Sequence, residues 1–129
     1  MMNKRDILNR LFVENNLTEE DVFKHKFYTI ITRSGIDKIQ STNNIEITYK
    51  LEYNSSDCKF IIIKAVATMG DKAIETFGES SPSNNSNSYP VAMAEKRAMS
   101  RAVLKLAGFY EHQVFGEDEA EAFKRSNNQ

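Results

Sequence analysis

At 129 residues the chain is one ordinary domain, long enough to bury a modest core without disulfide or metal staples. A composition of 40% apolar and 27% charged residues excludes a disordered chain, and a net charge of −1 excludes a protein that is basic throughout. Cys58 is the single cysteine and forms no internal disulfide, the first residues lead into an amphipathic segment without an apolar signal core, and the Phe60-Ile61-Ile62-Ile63 run falls far short of the roughly 20 residues a membrane helix needs. A cytoplasmic protein that neither spans nor enters a membrane is expected.

Ile7, Leu8, Leu11 and Phe12 recur at helical spacing and predict a helix over about Lys4 to Glu14, with Lys4, Arg5 and Arg10 off its apolar stripe. Asn15-Asn16 ends it, and Thr18 three residues before Asp21 is a capping box for a short turn through Phe23. Phe27 to Thr32 reads as a strand, closed by Arg33-Ser34-Gly35, after which Ser34 caps a short helix through Ile36 and Ile39 that stops at Asn43-Asn44.

The meander follows. Ile45, Ile47, Tyr49, Leu51 and Tyr53 alternate with Glu46, Thr48, Lys50 and Glu52, the period of two of a half-buried strand. Asn54-Ser55-Ser56-Asp57 is turn chemistry. Lys59 to Met69 reads as a second strand, with Ile61, Ile63, Ala65, Ala67 and Met69 on one side. Gly70-Asp71 turns the chain into a third strand at about Ala73 to Gly78. Ser80 to Tyr89 is polar and is expected as an exposed loop.

Pro90 and Gly108 mark the two ends of a long helix. Its segment Val91 to Ala107 carries Lys96, Arg97, Arg101 and Lys105 against Glu95 alone, a balance of +3, while Gly108 to Gln129 has a balance of −3 and is expected as an acidic tail with a short helix near Gly116 to Glu121. On a helical wheel Val91, Ala98, Met99, Ala102, Val103 and Leu106 share the apolar face, and Ala94, Ala98 and Ala102 admit close approach to the sheet. Arg97, Arg101 and Lys105 follow at i, i+4, i+8 over ~12 Å, a length suited to tracking phosphates. Such stripes are most often solvated faces. Tyr49 and Tyr53 could stack on bases, but their alternation favours core burial. Glu95, in the middle of the apolar face, is either placed for the unpaired N–H groups of the first turn or paired with a cation from elsewhere.

The fold expected is α+β: an antiparallel three-stranded meander, with room for an extra edge strand, packed by a long C-terminal helix and preceded by short helices. Residues 1–26 form the N-terminal segment, 27–109 the core and 110–129 the tail. No catalytic set, nucleotide loop or metal-ligand spacing occurs, His25, Cys58 and His112 being scattered, so no enzyme, cofactor or metal is expected.

The motif from Tyr89 to Phe109, with Ala94-Glu95-Lys96-Arg97-Ala98-Met99-Ser100-Arg101-Ala102 at its centre, resembles the Ala-rich basic helix of phage and prophage single-strand annealing (recombination) proteins, and Tyr28 to Ile39 resembles the strand and short helix before their sheet. That resemblance implies a β-β-β-α core, a homo-oligomer and capture of single-stranded DNA by backbone contacts. It makes Arg97, Arg101 and Lys105 phosphate contacts, with Lys96, Lys64, Lys50 and Arg33 completing the candidate set. The chain departs from the family in being shorter, not basic overall and without an extended basic hairpin. Gly35 to Gly108 also resembles the double-stranded RNA-binding domain, but Ser88 to Met93 lacks the lysines of that family's last helix. A third reading is an oligomeric accessory protein that docks a protein partner through the acidic tail, with the basic helix buried or paired.

Overall fold

In a computed structural model that describes residues 3–84 and 89–119, the first apolar stripe is helix α1 (Lys4–Glu14), its N-terminus capped by the Asn3 side chain, which accepts from Asp6 N at 2.9 Å. Asn15-Asn16 ends it, Asn16 standing at φ 61°. Thr18 and Asp21 form the expected capping box around a 3-10 turn, Glu19–Asp21. Strands β1 (Val22–Lys24) and β2 (Thr29–Ile31) then pair antiparallel. Helix α2 (Arg33–Thr42) follows, and its cap is the Thr32 side chain rather than Ser34, because Thr32 is the residue still in extended backbone and its hydroxyl accepts from Gly35 N at 3.1 Å. Asn43-Asn44 repeats the ending of α1, and the two ends are tied where Asn43 Nδ2 donates to Asn15 Oδ1 at 2.7 Å.

The meander is β3 (Glu46–Asn54), β4 (Ile61–Met69) and β5 (Lys72–Ser80), in that spatial order. Gly70, at φ 58°, takes the first central position of the two-residue turn between Met69 and Lys72, where a side chain would be strained. On β4 the expected alternation holds: Ile61, Ile63, Ala65 and Ala67 are buried beneath helix α3 (Pro90–Leu106). Pro90 opens α3 and Gly108 follows its end at φ 86°. Ala94, Ala98 and Ala102 are wholly buried, and the helix backbone lies so close to β5 that a Cβ on Gly78 would stand 2.0 Å from the Ala94 carbonyl oxygen and 2.4 Å from Ala98 N. The core joins this layer to α2 through Ile31, Ile36, Ile39, Leu104 and Phe109, each burial contributing about 1.5–3 kcal/mol. Leu8, Leu11 and Phe12 of α1 pack against it.

Several expectations are corrected. Tyr49 and Tyr53 are not core: α3 packs on β4 and β5 and does not extend along β3, leaving Tyr49 39%, Leu51 53% and Tyr53 51% exposed. A bulge between Leu51 and Tyr53 also reverses the alternation, so that Tyr53 pairs with Ile62 on the face away from α3. Val91 and Glu95 are exposed, on a different side of α3 from Ala94, which is wholly buried against Ile61, Ile63 and Gly78. From Arg97 onward the helix is buried nearly all round, because a segment from the expected tail packs on its other side. This segment comprises a 3-10 turn at Tyr110–His112, strand β6 (Val114–Gly116) and a 3-10 turn at Glu117–Glu119. Strand β6 pairs parallel with β2, completing a second small sheet in the order β1-β2-β6. Of the short helix expected near Gly116 to Glu121, the described part is the end of β6 and the 3-10 turn Glu117–Glu119, and residues 120 and 121 lie outside the described residues.

The loop after β5 is exposed at Pro82, Ser83 and Tyr89, as expected, but its first residues are not. Ser80 is wholly buried and Ser81 is 8% exposed, and residues 85–88 lie outside those described. Among the described residues no helix is long and apolar enough to cross a membrane.

Candidate nucleic-acid interface

The seven cations singled out in the sequence do not converge on one surface. Arg97 is 1% exposed and serves the interior: its guanidinium donates to the carbonyl oxygens of Asp118 at 3.0 Å, Glu79 at 2.9 Å and Asn84 at 2.6 Å, and to Asn84 Oδ1 at 2.9 Å. Arg101 is clamped between Glu79, at 3.1 Å, and Glu119, and also donates to the Phe77 carbonyl at 2.6 Å. Burial works against its charge, but the hydrogen bonds to Glu79 and the Glu119 carboxylate outweigh that and hold its pKa above the usual guanidinium value. The helical wheel places these two arginines on a solvated ridge; the fold places them against the returning chain. Ser100 joins them, donating to Asp118 Oδ2 at 2.7 Å.

Lys96 and Lys105 are exposed but nine residues apart, on opposite sides of the helix at about 100° per residue. Lys50 and Lys64 are cross-strand neighbours on the face away from α3, where Lys64 lies 3.6 Å from Glu52 and 3.9 Å from Glu75. Arg33 opens α2 and pairs with Asp37 at 3.3 Å.

A denser basic surface lies elsewhere. The connection from Lys24 to Tyr28, whose last two residues the sequence assigns to a strand, closes where His25 N donates to the Tyr28 carbonyl at 2.8 Å, and it presents Lys24, His25 and Lys26 toward the exposed start of α1. Between them runs an open groove of about 610 Å³, lined by Lys4, Arg5, Lys24, His25 and Lys26 over an apolar floor that includes Leu8 and Phe12. No carboxylate lines it. Lys4 reaches Gln113 and so ties the start of the chain to the segment before β6.

Aromatic rings continue this surface. His25 stacks on Tyr28 with centroids 4.4 Å apart, Tyr28 meets Phe115 edge-on at 6.3 Å, and Phe115 meets Tyr110 edge-on at 5.2 Å. Lys105 Nζ sits 5.0 Å above the Tyr110 ring, so a line of four rings runs from Lys105 back to the groove. Burial raises the Tyr110 pKa, with the Glu119 charge adding to it. Phe27 follows these lining residues in sequence, is 74% exposed, and has Lys26 over its ring at 5.4 Å; Phe23 is also exposed, but on β1 it alternates with Lys24 and so faces the other side of the strand.

No family model, curated protein or solved structure matches the chain.

Chemically, the groove offers what a flexible polyanion needs: several cations that can each approach a phosphate, and exposed ring faces on which bases can stack. Among the described residues no group of three or more His, Cys, Asp or Glu side chains could hold a metal ion. Of the candidate residues named from sequence, only Lys105 adjoins this surface. The missed signal was local: Phe23-Lys24-His25-Lys26-Phe27 interleaves cations with aromatics, and only the fold brings Lys4 and Arg5 beside it.

Proposed function

We propose that this chain is a non-enzymatic, cytoplasmic single-stranded DNA-binding protein of the phage annealing type, and that it takes the strand in the groove between α1 and the Lys24–Tyr28 turn. The observation that carries the reading is the carboxylate-free lining of Lys4, Arg5, Lys24, His25 and Lys26, with the exposed Phe27 ring held under Lys26. Stacking platforms next to cations suit unpaired bases, whereas a duplex hides its ring faces. The backbone is held without nucleotide, metal or base-specific readout, and complementary strands so held are free to pair.

The test is fluorescence anisotropy with labelled single-stranded DNA, duplex DNA and duplex RNA over a salt series, followed by a strand-annealing assay with complementary oligonucleotides. Four phosphate contacts give a log–log salt slope of about −3 on a single strand, and Lys24→Ala/Lys26→Ala lowers its magnitude by about 1.4. Preference for duplex RNA would transfer the groove to the double-stranded RNA reading, and absence of binding at low salt would overturn both. One observation favours a protein-docking accessory instead: the described start of the acidic tail is folded onto α3, with Glu119 on Arg101. That reading expects no nucleic-acid binding under any of these conditions.

A further inference from the structure

The two edges of the meander are treated differently. On β5 the carbonyls of Phe77 and Glu79 accept from Arg101 and Arg97, so the end of that edge is already occupied. On β3 the outer edge is open. The two-residue turn makes Met69 and Lys72 a hydrogen-bonded pair, so Ile61, Ile63, Ala65 and Ala67 also direct their backbone groups to β5, and Ile62, Lys64, Val66 and Thr68 direct theirs to β3. Their partners Glu46, Thr48 and Lys50 therefore bond inward, and Ile47, Tyr49 and Leu51 point N–H and C=O outward. Among the described residues no hydrogen bond reaches those outward groups. The edge is bounded at both ends: Ile45 N donates to the Gln40 carbonyl at 3.0 Å and its own carbonyl accepts from Gln40 Nε2 at 3.2 Å, while the bulge after Leu51 breaks the line.

An open, flat strand edge is a template for another strand, and the residues here select a copy of themselves. In an antiparallel pairing centred on Thr48, Ile47 of one copy faces Tyr49 of the other, both with outward backbone groups, and the two such pairs make four backbone hydrogen bonds. In the same register Glu46 lies opposite Lys50 twice, on the face away from α3, forming two cross-strand ion pairs. Moving the centre to Tyr49 sets Glu46 against Glu52, and moving it to Lys50 sets Lys50 against itself. The exposed Tyr49 and Leu51 then meet apolar neighbours from the second copy on the α3 side. We propose that two copies of this chain pair β3 to β3 about a two-fold axis through Thr48, forming one six-stranded sheet with both α3 helices on the same face.

The inference is independent of DNA and is tested without it, by sedimentation equilibrium at low ionic strength over a concentration series. The wild type is expected to dimerise. Glu46→Lys and Lys50→Glu, each turning two attractive pairs into two like-charge pairs, are expected to raise the dimer Kd about tenfold or more, and the double swap to restore it. Both residues are exposed, and circular dichroism checks that each variant is folded. In a Cys58→Ser background, Thr48→Cys is expected to form an intermolecular disulfide under mild oxidation, since the central pair does not exchange backbone hydrogen bonds and its Cα separation of about 4.5 Å falls within disulfide range. A protein that stays monomeric, a dimer indifferent to either charge reversal, or a dimer that Thr48→Cys fails to cross-link would each overturn the proposal.

Discussion

Arg97 replaces the loop's missing backbone partners. Its guanidinium satisfies carbonyls from β5, from Asn84 and from Asp118, three segments with no ladder between them. Lysine cannot substitute, because a point ammonium does not reproduce the planar fork. Arg97→Met is therefore expected to destabilise the protein by about 3 kcal/mol, read as a lower urea midpoint, with Arg97→Lys recovering little. A loss of DNA binding in any Arg97 variant would report this loss of structure, whereas the exposed Lys24 and Lys26 report on the groove. The i, i+4 spacing of Arg97 and Arg101 was legible in the sequence; their burial was not, because periodicity describes a helix alone and the groups that bury them arrive from residues 114–119.

Among the elements, the contact between α3 and β5 is the tightest, with no side-chain layer between Gly78 and the helix backbone at Ala94 and Ala98. Gly78→Ala forces the helix off the strand, since both obstructing atoms are main chain. The expected cost is about 3 kcal/mol, visible as a lower thermal midpoint, with Ala94, Ala98 and Ala102 losing contact together. The Ala94, Ala98, Ala102 repeat signalled close approach in advance, and the meander was readable because its turns are made by local chemistry: Gly70-Asp71, Asn54 to Asp57, and Pro90 and Gly108 at the helix ends. Strands β1 and β6 were not readable, since three residues carry no period and β6 exists only through its parallel pairing with β2. The bulge after Leu51 is equally silent, and it misassigned Tyr53.

For the molecule as a whole, the charge sorted along the chain is used internally. The basic helix and the acidic segment after Gly116 meet through Arg101 and Glu119, while the basic groove lies at the opposite end of the sequence. Stability also carries a pH dependence through Asp21, which joins the N-terminal turn to α2. Lys38 Nζ at 2.7 Å and Thr18 N at 2.9 Å hold its carboxyl below the ordinary value of 3.8. Because the folded pKa is the lower one, the contribution is present above about pH 4 and is lost as pH falls through the folded value. Asp21→Asn is expected to cost about 1–2 kcal/mol at pH 7 and to flatten the acid limb of a stability–pH profile between pH 5 and 2.

The pairing of β2 with β6 sets an order in time as well as in space. Thr29 N donates to the Gln113 carbonyl at 3.0 Å, and Lys4 is tied to the same residue, so both walls of the basic groove lean on chain that is synthesised more than eighty residues after they are. During translation Lys4, Arg5, Lys24 and Lys26 therefore emerge before Gln113 and Val114 to Gly116, the segment against which the finished groove is braced.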